Sequence, residues 1–148
     1  MELAPINLFS DIFDHLTDEQ RGRCAICCGD ARYTYGQLAA AIDSYATELI
    51  DLGIRPGEHV GLWSFNSVNW VAVFFAIVKV GAVAVLPSYS LSLDEVQVLL
   101  RRTQVSTLFY GNNMAMKRDP KAAETMAATL GLRQLIDLRA PENAFDRR

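Results

Sequence analysis

The sequence predicts an α/β protein in which a doubly wound, mostly parallel sheet is flanked by helices and preceded by a short N-terminal hairpin. Short apolar runs alternate with helix-length segments, capping residues precede several of those segments, and a glycine follows most of them. This alternation is typical of parallel β–α–β units. A chain of 148 residues, 51% of them hydrophobic, is sufficient for one such domain or for one lobe of a larger protein.

The first third of the chain is predicted to contain a helix, a hairpin and a second, longer helix. Apolar residues between Asn7 and Leu16 fall on one helical face, with Asn7 as the N-cap. Two short strands are expected around a turn at Gly29-Asp30. Thr34 and Gln37 then form a capping box, and Gly53 ends the helix that follows. The residues expected on the inner face of this helix are Leu38, Ile42, Tyr45, Leu49 and Leu52.

A long apolar stretch from Trp70 to Leu86 approaches the length of a membrane-spanning helix, which needs about 20 residues. Lys79 and Gly81 interrupt its second half. We therefore favour a buried helix from Val68 to Val80, a stop at Gly81 and a buried strand from Ala82 to Leu86. Before it, the segment Val60–Phe65 is predicted to be a strand covered on both faces, and Asn66 or Ser67 is the expected helix cap.

The second half repeats the helix–strand alternation. Ser92 and Glu95 form a capping box for a helix that leads to a strand at 106–110. Asp119-Pro120 is predicted to start the next helix, which ends at Gly131, and 134–138 is predicted to be the fourth strand. Residues 1–138 are thus expected to be a partial N-terminal lobe, followed by an irregular tail at 139–148 where a longer protein would be cut. The residues expected to face inward from the helix after Ser92 are Leu93, Val96, Leu99 and Leu100.

The three cysteines lie together at Cys24, Cys27 and Cys28. An odd number of cysteines within five residues does not form a disulfide framework. We interpret them as structural thiols in a buried strand. A metal or redox role is the alternative, although a second cysteine pair that would complete a zinc site is missing from the sequence.

The charge pattern excludes two classes of partner. The formal net charge is −3 and the basic residues are scattered, whereas nucleic-acid and anionic-membrane surfaces need clustered lysine and arginine. The N-terminal segment carries acidic residues and lacks a basic start, so it does not resemble a signal peptide. A cytoplasmic protein without a transmembrane segment is expected.

A search for motifs that carry chemistry finds none complete. No glycine pattern matches a phosphate-binding loop or a serine nucleophile elbow. Gly53, Gly57 and Gly61 are spaced four apart and are interpreted as turn glycines. Four early carboxylates are interpreted as a solvated helix surface rather than a catalytic pair: Asp11, Asp14, Asp18 and Glu19.

Ligands of open parallel sheets bind beyond the carboxyl ends of the strands. Three loops in such positions carry small polar groups: 65–67, 87–90 and 111–113. Asn66 and Ser67 are better explained as helix caps than as ligand contacts. Tyr89 is expected either to line an apolar slot or to cover the edge of the sheet.

The ordered set of these segments resembles the opening of the AMP-binding, or adenylate-forming, superfamily. The resemblance is carried by four motifs. They are Thr-Tyr before the first large helix, Gly-Ile-x-x-Gly at its end, Asn-Ser-x-x-Trp at the start of the buried helix and Lys-x-Gly-Ala-Val-x-Val-x-Pro after it. The likeness extends from about Ile6 to Leu138. It implies the N-terminal lobe of an ATP-dependent acid–CoA ligase, most similar to the acyl-CoA synthetases.

For the full-length enzyme the resemblance implies a small carboxylic acid, ATP, magnesium and CoA, with the remainder of the ligase chain as partner. The family's phosphate loop and catalytic residues come after the part represented here, so no catalytic, cofactor-binding or metal residue is assigned. This fragment is expected to bind no cofactor and to be inactive alone. The alternatives are a stand-alone, non-catalytic binding or interaction module and the start of a peptide-synthetase adenylation domain.

If the lobe normally packs against a larger domain, an apolar patch should be exposed where that neighbour is missing. We expect this patch at Phe109, Tyr110 and the loop from Asn112 to Lys117. A polar surface there would favour the stand-alone module.

Overall fold

A computed structural model describes residues 9–139 of the chain. The helices, in chain order, are a short 3₁₀ helix Phe9–Ile12, α1 Asp18–Gly22, α2 Tyr35–Asp51, α3 Val68–Lys79, α4 Leu93–Arg102, α5 Met114–Arg118 and α6 Ala122–Leu130. The strands are β1 Cys24–Cys28, β2 Ala31–Thr34, β3 His59–Trp63, β4 Val83–Val85, β5 Thr107–Tyr110 and β6 Gln134–Asp137.

The main sheet has the predicted parallel topology. Its four strands lie in the order β4-β3-β5-β6, and each neighbouring pair is parallel. Strands β1 and β2 form a separate antiparallel hairpin. The predicted fold class, a parallel sheet flanked by helices with a short N-terminal hairpin, is therefore confirmed.

Side-chain alternation along β3 and β5 divides the core between the two faces of the sheet. Val60, Leu62 and Phe109 belong to the cluster that includes the buried residues of α2 and α3. Trp63 and Leu108 belong to the cluster that includes those of α4, α5 and α6. Successive residues of a strand point to opposite faces, so a central strand packs against a helical layer on each side.

The helix signals in the sequence correspond to real caps. The Thr34 and Ser92 side chains accept hydrogen bonds from the backbone N–H groups of Gln37 and Glu95, and both capping boxes are complete. Ser67, rather than Asn66, caps α3. At the other ends, Gly53 with φ 77° and Gly131 with φ 63° follow α2 and α6, in a conformation that glycine adopts without steric cost.

The predicted N-terminal helix is wrong in its type and extent. Phe9–Ile12 is a single 3₁₀ turn, and Asn7 lies outside the described residues. Thr17, which follows the predicted helix, has an extended backbone, and its side chain caps a new helix, α1, in a capping box with Gln20. The apolar residues between Phe9 and Leu16 therefore do not form one continuous helix.

The predicted start of the last helix is also wrong. Asp119 is the C-terminal cap of α5, with its backbone N–H donating to the carbonyl of Ala115 at 2.9 Å. Since Asp119 ends one helix, the next begins at Ala122, with Lys121 at the N-cap position and no side-chain cap. The sequence prediction missed α5 altogether.

The apolar stretch from Trp70 to Leu86 divides as predicted into a helix and a strand. Lys79 at the end of α3 forms ion pairs with Asp14 at 2.7 Å and with Asp43 at 2.9 Å. Within residues 9–139, no helix combines the length and the apolar character that crossing a membrane requires.

Strand β4 is not the buried strand that was predicted. It pairs only with β3 among the described strands, and Val83 is 43% exposed. The apolar sequence of β4 resembles that of a central strand, but the strand order places it at an edge of the sheet.

The three cysteines are also not buried as predicted. Cys24, Cys27 and Cys28 are all exposed. The reason is that β1 belongs to a two-stranded hairpin separate from the four-stranded sheet, in which Ala25 and Ile26, rather than the cysteines, pack against the core.

Candidate functional site

The three loops predicted to carry the site lie together at the carboxyl edge of the sheet. After β3, the backbone N–H of Phe65 donates to the carbonyl of Asn112, at 2.5 Å. After β5, the N–H of Gly111 donates to the carbonyl of Trp63, at 3.1 Å. The loop after β4 joins them, since Tyr89 accepts a hydrogen bond from the N–H of Met114 at 2.9 Å.

Aromatic rings and the Lys117 ammonium lie close together at this edge. The Phe65 and Tyr89 rings are 4.5 Å apart between centroids, at an interplanar angle of 41°. The Lys117 ammonium lies 5.0 Å from the centroid of the Phe65 ring, which is within the range of a cation–π contact. We call Phe65, Tyr89, Asn112 and Lys117 the carboxyl-edge cluster. Tyr89 therefore packs against Phe65 and remains 43% exposed.

The neighbouring amides and hydroxyls are already committed to the fold. Asn113 is fully buried, with its Nδ2 donating to the Gly111 carbonyl and its Oδ1 accepting from the N–H of Met116. Ser67 is occupied as the cap of α3. Asn66 remains exposed, beside the carboxyl-edge cluster in sequence.

Sequence reasoning missed Lys117 as a member of this edge. The sequence predicts a loop for the segment that contains it, whereas Met114–Arg118 is a short helix whose N-cap is Asn113. Five residues give little more than one turn, so no hydrophobic period could show it. The only available signal was an asparagine followed by a helix-forming run.

The carboxyl-edge cluster offers groups that can contact a ligand, but it does not by itself form a reaction centre. It offers aromatic faces, a backbone carbonyl and a single ammonium. Among residues 9–139 no group of three or more histidine, cysteine, aspartate or glutamate residues is placed to hold a metal ion.

A second polar cluster lies at the opposite, amino edge of the sheet. Glu58 Oε1 accepts from Ser106 Oγ at 2.9 Å and from Arg133 Nη2 at 2.6 Å, while its Oε2 accepts from the backbone N–H of Arg55 at 3.1 Å. Partial burial alone would raise the pKa of Glu58. The hydrogen bonds from Arg55 and Ser106 and the positive charge of Arg133 outweigh it, so the pKa lies below its usual value.

This cluster predicts a dependence of stability on pH. A lowered pKa means that ionised Glu58 stabilises the fold above about pH 4.5, and that the stabilisation is lost as the pH falls through the lower pKa of the folded state. The Glu58→Gln substitution removes the charge at nearly constant size. We expect it to lower the free energy of unfolding by about 1 kcal/mol at neutral pH.

Urea unfolding of both proteins at neutral pH and at acid pH gives the measurement. The difference in the free energy of unfolding between the wild type and Glu58→Gln should shrink as the pH falls below the ordinary glutamate pKa. Glu48→Gln on α2 makes the same change of charge away from this cluster and is the control. An unchanged difference at acid pH would contradict the role given to Glu58.

The predicted exposed patch is wrong in its position. Phe109 is fully buried in the cluster with α2 and α3, and Tyr110 and Met116 are 5% and 6% exposed because α5 and α6 pack on the opposite face. The exposed residues in this region are polar, namely Asn112 and Lys117. Large apolar side chains are exposed instead along β4 and the loop after it, at Val83, Leu86 and Tyr89.

Comparison with known proteins decides the family. The family model described as AMP-binding enzyme matches residues 13–144, which is most of the chain. The chain belongs to the AMP-binding enzyme family. The parallel sheet flanked by helices is thus part of the AMP-binding fold.

Individual members of the AMP-binding family agree with this assignment. The chain is 30% identical, over 106 residues, to a medium/long-chain-fatty-acid–CoA/3-oxocholest-4-en-26-oate–CoA ligase of Mycobacterium tuberculosis, covering 72% of this chain and 19% of that protein. It is also 30% identical, over 133 residues, to a methyl-dioxo-octahydroindenyl-propanoyl:CoA ligase of the same organism, covering 90% of this chain and 26% of that protein.

A solved AMP-binding structure shows how far the likeness extends in three dimensions. The anthranilate CoA ligase AuaEII, determined in complex with anthranoyl-AMP, matches with a TM-score of 0.80 and 26% identity. The match covers 97% of this chain and 27% of that one. The chain thus spans 19% to 27% of the length of these AMP-binding relatives.

Proposed function

We propose that this chain is the N-terminal lobe of an ATP-dependent acid–CoA ligase. In the proposed reaction a carboxylate attacks the α-phosphate of ATP, giving an acyl-adenylate and pyrophosphate, and the thiol of CoA then displaces AMP. The observation that carries the proposal is the family match over residues 13–144. The CoA ligases among the relatives support it.

The lobe supplies scaffold rather than chemistry in this proposal. Adenylation needs several donors around a crowded polyphosphate and a divalent cation that offsets the developing charge. The carboxyl-edge cluster provides one ammonium, Lys117, and that ammonium lies over the Phe65 ring. We propose that the groups that hold ATP and magnesium come from parts of the ligase outside this lobe.

The purified 148-residue chain is therefore expected to show no ATP–pyrophosphate exchange above background. The assay would use labelled pyrophosphate, ATP, magnesium and a panel of fatty and aromatic acids. The full-length fatty-acid–CoA ligase of Mycobacterium tuberculosis, run in parallel, is the positive control. Robust exchange by the 148-residue chain would show that the active site has been placed wrongly.

The reading frame after Arg148 provides the direct test of the ligase itself. We expect it to continue into a Ser/Thr/Gly-rich loop that ends in Pro-Lys-Gly. A stop codon at that position would contradict the proposal for this gene product. It would favour the stand-alone module, which also predicts the polar surface found at Asn112 and Lys117.

The identity of the acceptor thiol distinguishes a CoA ligase from a peptide-synthetase adenylation domain. The product of the whole reading frame, incubated with its acid and ATP, should yield an acyl-CoA when CoA is added. Mass spectrometry identifies the thioester. Transfer to a carrier-protein phosphopantetheine, with none to CoA, would support the adenylation-domain alternative.

A further inference from the structure

The β1–β2 hairpin brings two thiols into contact. Cys24 Sγ and Cys27 Sγ are 3.4 Å apart, and both residues are exposed. A disulfide bond requires about 2.05 Å between the sulfur atoms. The two sulfur atoms therefore have to approach each other by about 1.4 Å more for a bond to form.

An irregularity in the strand explains the contact. Cys24 pairs with Thr34, whereas Ile26 pairs with Tyr33, so Ala25 is an extra residue on β1. In a regular strand, residues three apart point to opposite faces. The extra residue of a β-bulge changes this alternation, and here it places Cys24 and Cys27 on the same face.

Hydrogen bonds hold the two thiols in this arrangement. Cys24 Sγ lies 3.6 Å from the carbonyl of Ile26, to which it donates across the bulge. Arg32, the cross-strand partner of Cys27, donates from Nη1 to Cys27 Sγ at 3.6 Å. The guanidinium places a positive charge beside the sulfur, which favours a thiolate during reaction.

The same strand geometry keeps the third cysteine, Cys28, out of contact with the other two thiols. Cys27 and Cys28 pair in regular register with Arg32 and Ala31, so their side chains point to opposite faces of the hairpin. Cys28 is therefore directed away from the face that Cys24 and Cys27 share.

We propose that Cys24 and Cys27 are a reversible dithiol–disulfide site that reacts with low-molecular-weight disulfides of the glutathione type, with Cys28 outside it. One protein thiolate attacks a sulfur of the small disulfide, whose S–S bond breaks and releases one small thiol. The second protein thiolate then attacks the mixed disulfide and releases the other small thiol. The two cysteines together lose two electrons and two protons, and the small disulfide is reduced to two thiols.

The thiolate requirement gives the reaction a pH dependence. The hydrogen bond with Cys24 and desolvation raise the pKa of Cys27, and they outweigh the attraction of Arg32. The rate of closure should therefore increase from neutral towards alkaline pH, as more of the thiol ionises. The nearby groups that face this site are Cys24 and Arg32.

The experiment is a redox titration of the reduced 148-residue chain in buffers of reduced and oxidised glutathione. After acid quenching, thiols are counted and the intact mass is measured. We expect the three thiols of the chain to fall to one, with a loss of about 2 Da. Trypsin releases residues 24–32 as one peptide, and its fragmentation should place the bond between Cys24 and Cys27.

Three serine variants test the assignment, with Cys28→Ser as the matched control. Cys28→Ser should close its disulfide at the same glutathione ratio as the wild type. Cys24→Ser and Cys27→Ser should keep two thiols, or carry bound glutathione, at that ratio. The titration is repeated in urea, where the bulge is lost, and we expect closure to require at least a tenfold more oxidising ratio of glutathiones.

Several results would overturn the proposal. A bond from Cys28 to either other cysteine as the main product would do so. Persistent glutathione adducts on the wild type without a disulfide bond would also overturn it. So would formation of the disulfide at the same glutathione ratio in urea as without urea. The wild-type fragmentation and the urea titration do not depend on the folding of any variant.

Discussion

Replacing Phe109 with alanine is expected to lower the free energy of unfolding by about 3–5 kcal/mol. Phe109 lies on the central strand β5 and is completely buried. Its side chain points into the cluster formed with α2 and α3, so the substitution removes apolar contacts and leaves a cavity under two helices. Urea unfolding, followed by far-ultraviolet circular dichroism, measures the change.

The matched control for this prediction is Phe9→Ala. Phe9 is 64% exposed, and its ring lies 6.3 Å from that of Phe75. The same atoms are removed at a site where few buried contacts are lost, so we expect the free energy of unfolding to change by less than about 1 kcal/mol. Equal effects at the two positions would mean that Phe109 is not part of the core.

Replacing Gly61 with alanine is expected to destabilise the protein by about 1–3 kcal/mol. An added Cβ would lie 2.8 Å from Leu108 Cδ1, 3.2 Å from Val105 Cγ1 and 3.3 Å from Leu100 Cδ2. All three neighbours are buried in the cluster on that face of the sheet. Because the core is close-packed, the added methyl group has to displace at least one of these side chains.

Gly22→Ala provides the control for this effect. Gly22 ends α1, and an added Cβ would meet nothing within 4 Å. We expect a change within about 0.5 kcal/mol. The double variant Gly61→Ala, Leu108→Val should recover part of the loss, with a coupling energy of about 0.5–3 kcal/mol. Strict additivity of the two substitutions would rule out the predicted steric clash.

Gly61 also illustrates where sequence interpretation went wrong. From the sequence it is interpreted, with Gly53 and Gly57, as a turn glycine because Pro56 lies among them, and their equal spacing is attributed to chance. Gly53 and Gly57 have positive φ values of 77° and 81°, as turn glycines often do. Gly61 instead lies within β3, where glycine is needed for its lack of a side chain beneath a helix and not for an unusual backbone conformation.

The features predicted correctly depend on local chemistry. A capping box needs only residues three apart, so Thr34 with Gln37 and Ser92 with Glu95 located two helices. The alternation of helices and apolar strands then gave a parallel sheet. These signals are short-range, and they exist before the chain has any tertiary structure.

The features that were missed depend on contacts between distant segments. The edge position of β4 follows from strand order, which no local pattern of three apolar residues reveals. The exposure of the cysteines follows from the separation of the hairpin from the main sheet. The carboxyl-edge loops could be predicted from topology, but the contact of Lys117 with Phe65 depends on a one-turn helix.

The strand order has a consequence for how the protein is made. Strand β3 is synthesised first among the four strands of the main sheet, and it lies inside the sheet. Strands β4 and β5 can each dock directly beside it as they leave the ribosome, and β6 then docks beside β5. Each new strand finds a neighbour that already exists, so the sheet can grow outward in the order of translation and few loops have to close over long distances.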